Sequence, residues 1–346
     1  MAKRTDDRLF IEDFIPRVSR TFALAIRFLP RPLRNSVHAA YLLCRVADTL
    51  EDSPHLDANE KCKRLIHLKD LLDRAVKGGT MSGEDLLPLY DSIDTNHGHD
   101  HRLLLESTKL FVILENLPRD HKSIIYSRAA EMAGGMAEYV QLAGQSENTI
   151  FCLRDIDDWD RYCYYVAGTV GHMLTELFIS HFGFDQSQAE KLNRLGRSFG
   201  LGLQKVNVIK DVPADRERGV CFLPLDVMNK HGLMPSSFGS PGNESEIAEF
   251  VSELLKLTVG HLDDAIEYTV VMPRRHRGVR MFLAVPIFLA VETLNLIRLD
   301  PIRALAGPPV KLTRRDVGRL VNAAALGVIS NRLLKRFYDK LREVIE

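Results

Sequence analysis

Apolar residues along this chain of 346 recur mostly at spacings of three and four, the period at which side chains line one face of an α-helix. No run of alternating apolar and polar residues bounded by turn residues competes with that pattern. A chain patterned this way buries its apolar surface by packing helix on helix, so the expected fold class is all-α. Proline and glycine clusters at 30–32, 77–83, 94–101, 230–243, 272–278 and 307–309 divide the pattern into helices. None of them reads as an interdomain linker, and no fixed period recurs. One large helical domain, residues 1–346, is expected rather than a solenoid.

Charge removes several function classes. Lys+Arg and Asp+Glu both number 46, so no global field draws the chain onto nucleic acid, and ligand electrostatics must be local. The five cysteines, Cys44, Cys62, Cys152, Cys163 and Cys221, are odd in number and scattered, which fits neither a disulfide framework nor a zinc site. The first eight residues mix both charge signs ahead of any apolar run and lack the layout of a secretory signal. The most apolar stretch, 281–291, contains Pro286 and stops at Glu292, short of the ~20 residues of a membrane span. A cytoplasmic protein without a transmembrane helix is expected.

Two acidic patterns carry the chemistry. In the helical stretch 38–52, Asp48 and Asp52 stand four apart and share a face, with Tyr41 and Arg45 on the adjoining turns. A single D-x-x-x-D is as compatible with a solvated acidic face. A second pattern, Asn207, Asp211 and Asp215 at i, i+4 and i+8, changes the balance, because two acidic faces in one helical protein suit Mg²⁺ shared with substrate phosphates. Such an ion neutralises a departing diphosphate, and the product of that ionisation is a carbocation. A carbocation needs an apolar cavity with aromatic faces. Between the motifs lie Tyr162, Tyr164 and Tyr165, followed by Gly168 and Gly171, which permit close approach of a ligand or a neighbouring helix. A tight helix crossing explains that segment equally well when it is read alone.

Taken together, these residues resemble the squalene/phytoene synthase family of head-to-head prenyl diphosphate synthases. The matching pieces follow the family's order: Ser19-Arg-Thr-Phe22, Tyr41 through Asp52, Gly135-Met-Ala-Glu138-Tyr139, Tyr162 through Gly171, and Leu203 through Asp215. The resemblance implies an all-helical isoprenoid synthase bundle with a central channel and an aspartate-rich helix on each side of its mouth. It implies that Asp48, Asp52, Asn207, Asp211 and Asp215 bind Mg²⁺ and diphosphate. Ser19, Arg20, Tyr41, Arg45, Gln204 and Lys210 then touch phosphate oxygens or orient those carboxylates. Tyr162 faces the reacting carbons, and Phe22 lines the prenyl tunnel.

Two departures stand out. Pro213-Ala214 interrupts the second motif, and proline lacks an N–H and clashes with the preceding turn, so the helix is expected to kink or end there and leave Asp215 the least secure ligand. Val220 occupies a position where many carotenoid-forming relatives carry arginine.

The segment 282–294 followed by Lys311, Arg314 and Arg315 is more similar to squalene-forming relatives, in which this basic region lies near NADPH. Cationic side chains suit its 2′-phosphate, although a charged helix start on the surface has the same composition. No G-x-G-x-x-G follows a strand, so NADPH rests on the resemblance. The resemblance implies farnesyl diphosphate as substrate and squalene as product, with presqualene diphosphate, dehydrosqualene or phytoene formation as the alternative, and an inactive helical scaffold as the non-enzyme alternative. The basic run Arg274, Arg275, His276 and Arg277, with Arg280, suits either a solvated loop or anionic lipid where a greasy product leaves. The histidines 97, 99 and 101, with Asp94 and Asp100, read as a polar loop rather than a metal site.

Overall fold

The computed structural model describes residues 14, 24–91, 98–147 and 149–345. In chain order they form α1 (Arg31–Asp52), α2 (Ala58–Val76), α3 (Gly83–Tyr90), α4 (Gly98–Leu105), α5 (Ser107–Glu115), α6 (Arg119–Gly144), β1 (Phe151–Leu153), α7 (Ile156–Cys163), a π-helical turn (Tyr164–Gly168), α8 (Thr169–Phe182) and α9 (Gln186–Glu217). There follow β2 (Val220–Pro224), α10 (Leu225–Lys230), α11 (Glu244–Val271), α12 (Arg277–Leu299), α13 (Pro301–Ala306), α14 (Arg314–Gly327) and α15 (Asn331–Arg342). The all-α expectation holds. The two short strands pair in parallel, Phe151 with Val220 and Cys152 with Cys221, and at three and five residues they are too short to show an alternating pattern.

The chain divides into two compact units, one of Met1–Gly144 with His172–Ala189, the other of Gln145–Gly171 with Glu190–Glu346. In the first unit α1 starts at the expected break, with Pro30 at its N-cap and Pro32 in its first turn, where a fixed φ and a missing N–H cost nothing. Leu33, Val37, Leu43, Val46 and Leu50 are fully or almost fully buried, each worth about 1.5 to 3 kcal/mol. They seat α1 against α6, along which α2 also packs. The expected loop at 94–101 is helical from Gly98 onward, while residues 94–97 lie outside the described ones.

In the second unit α12 packs on α11 and is flanked by α14 and α15. It runs on through Pro286. Losing one hydrogen bond at proline costs about 3 kcal/mol, and burial of Phe282, Leu283, Val285, Ile287 and Phe288 around it outweighs that loss. This helix is long and apolar enough to cross a membrane, and 67% of its most apolar window is buried inside the protein. Arg280 is not part of the exposed basic loop. It is fully buried and donates to the carbonyls of Thr269 (3.1 Å), Met272 (2.8 Å) and Val328 (3.2 Å) and to Asn331 Oδ1 (2.8 Å). It thereby ties the ends of α11 and α14, whose last carbonyls have no helical partner.

Candidate active site

On α1 the predicted residues fall as their spacing requires. Arg45 meets Asp100 of α4 in a two-pronged contact, Nε to Oδ1 at 2.9 Å and Nη2 to Oδ2 at 2.8 Å, the fork geometry in which guanidinium binds carboxylate best. Its remaining nitrogen, Nη1, lies 3.7 Å from Asp48 Oδ2, an ion pair beyond hydrogen-bond length. Asp48 is therefore short of positive charge. Burial raises its pKa, Arg45 pulls it down, and the Asp52 and Asp100 carboxylates push it up again, to about 7. Burial and two neighbouring carboxylates thus disfavour the charged form of Asp48 in the empty protein.

On α9 the expected break at Pro213 does not occur, and the helix continues to Glu217. Val212 and Asp215 are buried on either side of the proline, and packing holds the turn that propensity alone would release. Lys210 Nζ donates to Asn207 Oδ1 at 3.2 Å and lies 3.3 Å from Asp211 Oδ2, so one ammonium serves both groups. Asp215 meets Arg218 Nη2 at 2.5 Å and already has a counter-charge. Gln204 is half-buried on the same helix.

Tyr162 closes α7, a helix started by Asp155, whose side chain accepts from the Asp158 N–H at 2.8 Å. It is 4% exposed and stacks on Phe222 of β2, with ring centres 4.1 Å apart and planes inclined by 8°. The π-helical turn that follows carries an extra residue within the helical path, a feature common beside functional sites. Arg197 lies over the Tyr164 ring at 5.4 Å and Arg161 over the Tyr165 ring at 5.6 Å. Gly171 approaches a neighbouring helix: a Cβ there would fall 2.0 Å from the Gly196 carbonyl oxygen of α9.

Lys311, Arg314 and Arg315 are exposed. The two arginines open α14, whose N-terminus is closed by Thr313 and Asp316 in a reciprocal cap. Positive side chains at the positive end of a helix are a local cost unless an anion joins them. Ser19, Arg20 and Phe22 lie outside the described residues. Sequence reasoning missed Asp100 as the partner of Arg45, Phe222 as the platform under Tyr162, and the π-helical turn. Only Phe222 carried a usable signal, as the single aromatic residue in the short apolar run after the second motif.

Comparison with known proteins follows the same residues. The family described as squalene/phytoene synthase matches residues 15–316. The squalene synthase of Cyberlindnera jadinii is 30% identical over 284 residues, 82% of this chain and 60% of that protein. The squalene synthase of Homo sapiens is 28% identical over 281 residues, 81% and 61% respectively. The chain thus spans about three fifths of the length of these curated relatives. A solved complex of TcSQS with the ligand BPH1237 superimposes with a TM-score of 0.79 at 25% identity, covering 98% of this chain and 96% of that one. A dehydrosqualene synthase in complex with a ligand shares the fold, with a TM-score of 0.67 at 20% identity over 92% and 95%. With the family match covering both acidic motifs and Tyr162, the chain belongs to the squalene/phytoene synthase family.

Proposed function

We propose that the chain is a squalene synthase using Mg²⁺ and NADPH. Two farnesyl diphosphates join 1′-1 to presqualene diphosphate, which loses its diphosphate, rearranges and accepts hydride. The observation that carries this reading is the α1 motif inside the family match, where Arg45 gives two hydrogen bonds to Asp100 and stands 3.7 Å from Asp48.

The donor set suits a hard divalent cation, since it is all oxygen and includes three carboxylates. Among the described residues no three His, Cys, Asp or Glu side chains are gathered to hold an ion alone, so phosphate oxygens and water would complete its shell. Asp48 and Asp52 on α1, and Asn207 and Asp211 on α9, are the residues that would hold Mg²⁺, which when bound would neutralise the leaving diphosphate. Asp215 is a weaker candidate, because Arg218 already occupies its carboxylate.

The chain's own residues do the rest. Asp100 holds the Arg45 guanidinium in one plane, leaving Nη1 directed to the acidic turn. Lys210, bonded to Asn207 and paired with Asp211, would meet a phosphate oxygen. Tyr41, Gln204, Ser19 and Arg20 take further phosphate contacts, and Phe22 lines the prenyl path. Tyr162, fixed by its stack on Phe222, assists removal of the proton lost as the cyclopropane closes. NADPH supplies the hydride, and Lys311, Arg314 and Arg315 would hold its phosphates. Release of so apolar a product toward lipid is served by exposed Arg274, Arg275 and Arg277.

Incubation with labelled farnesyl or geranylgeranyl diphosphate and Mg²⁺, with and without NADPH, tests the reading by product identification. Squalene from farnesyl diphosphate with NADPH, and presqualene diphosphate without it, is expected. Consumption of farnesyl diphosphate with no response to NADPH reassigns the chain to presqualene diphosphate or dehydrosqualene formation. Phytoene from geranylgeranyl diphosphate reassigns the substrate. No consumption of either leaves an inactive scaffold.

A further inference from the structure

Lys205 lies inside the second motif, between Gln204 and Asn207, yet it turns away from the aspartates into the protein. It is 1% exposed. Its ammonium sits 2.5 Å from Asp160 Oδ1, 3.2 Å from His261 Nε2 of α11 and 4.3 Å from the centre of the Trp159 ring. His261 Nδ1 is in turn 2.8 Å from Ser198 Oγ, two turns back along α9. Burying an ammonium and a carboxylate is expensive, and an apolar pair of the same size usually packs as stably. What an ion pair adds is a fixed register.

Register matters on this surface. The path α7, π-helical turn, α8 runs antiparallel to α9, as the contacting pairs show: Asp160 with Lys205, Ala167 with Gly200, and Gly171 with Gly196. At the last two, backbone meets backbone. A Cβ on Gly200 would fall 2.2 Å from the Ala167 carbonyl oxygen, and one on Gly171 would fall 2.0 Å from that of Gly196. Such a small-residue crossing is closely packed and offers little side-chain bulk against sliding, with Leu201 of α9 over Gly168. The π-helical turn Tyr164–Gly168 begins four residues after Asp160 of the ion pair and enters the glycine crossing at Ala167, so its extra residue is held between the two contacts. Tyr162 lies inside the held segment, two residues after Asp160.

We propose that Lys205 is a positioning residue for the reaction: through Asp160 it pins α7 to α9, traps the π-helical turn against the glycine crossing, and so fixes Tyr162 relative to Asn207 and Asp211. This rests on the prenyl diphosphate chemistry proposed above. Lys205 itself touches neither substrate nor metal.

The principal variant is K205M/D160N, which removes both charges at once and strands neither. The proposal expects a folded protein, at least tenfold faster amide exchange across residues 160–168 with α12 protection unchanged, and kcat for presqualene diphosphate formation at least tenfold lower with KM within about twofold. The single Trp159 reports the same change through altered fluorescence. If the double variant does not fold, the measurements are made on D160N, in which Lys205 keeps His261 and Trp159. Unchanged exchange across 160–168, unchanged kcat, or a raised KM at unchanged kcat each overturns the positioning role. A wild-type chain that exchanges slowly at 160–168 but consumes no prenyl diphosphate overturns the proposed reaction instead, and removes the role with it.

Discussion

Asp48 and Asp160 are both part-buried carboxylates beside a cation, and they end in opposite electrostatic states. For Asp48, burial wins: its nearest cation, Arg45, gives its two best hydrogen bonds to Asp100, and the pKa rises to about 7. For Asp160, burial loses: His261 and Lys205 together hold the pKa down to about 2. A carboxylate left short of positive charge inside a fold costs stability in the empty protein, a cost that the Mg²⁺ proposed above would offset. A carboxylate with its charge fully matched has no such call on a ligand and instead fixes the helices that meet at it. Asp215, with Arg218 at 2.5 Å, belongs nearer the second kind, although it stands in the acidic motif.

The largest effect that distinguishes the two kinds is expected at Asp48. Asp48→Asn should lower turnover by at least about 10²-fold, the scale for removal of one electrostatic contact to developing charge, while leaving the melting temperature of the empty protein unchanged or higher. Asp215→Asn should lower turnover by only about tenfold, since Arg218 already screens it. Kinetics and thermal melts of the two variants side by side decide the matter. Equal losses would break the comparison.

Tyr162→Phe comes next. It keeps the stack on Phe222 and removes only the hydroxyl, so prenyl diphosphate binding should persist while condensation falls about 10²-fold, at the low end for a positioned proton-transfer group. Wild-type single-turnover rates in this variant would reassign Tyr162 to packing.

How much of this was legible in the sequence depends on the distance over which each feature is decided. The helix at Arg31–Asp52, with Pro30 at its start, and the shared face of Asp48 and Asp52 are decided within a few residues, and spacing reads them. Pro213 is a local signal that tertiary burial overrides, so the suggested break is absent. The partnership of Arg45 with Asp100 spans 55 residues, and nothing in either neighbourhood announces it. Lys205 stands inside the second motif, but only the packed positions of Asp160 and His261 show that it faces inward. The π-helical turn is a matter of one extra residue between two fixed points, and no propensity encodes it.

The comparison extends to cations exposed at a helix start. Lys311, Arg314 and Arg315 are exposed at the positive end of α14, where the helix itself gives them no favour. Replacing all three with glutamine should raise the apparent KM for NADPH about tenfold, the cost of one shielded charge-assisted contact, with presqualene diphosphate formation retained. Squalene output equal to wild type at limiting NADPH would show that their exposure has no bearing on the cofactor.

The smallest effect concerns Asp160 and pH. Its pKa is 3.8 unfolded and about 2 folded, so unfolding takes up a proton between those values and stability falls as pH falls through that window. Above pH 3.8 the contribution is fully present, and below pH 2 it is gone. With its side chain 29% exposed, solvent screening limits the contribution to about 1 kcal/mol. Denaturant melts between pH 2 and 5 should show K205M/D160N losing less stability than wild type by that amount as the solution is acidified. Asp48 works with the opposite sign. Its raised pKa means that the empty fold gains stability as pH falls from 7 toward 3.8, so Asp48→Asn should flatten the pH dependence in that higher window and leave the window below 3.8 untouched. Two carboxylates shifted in opposite directions thus leave separate marks on one stability curve, and a single pH series on the two variants tells a charge kept waiting for a ligand from a charge already matched.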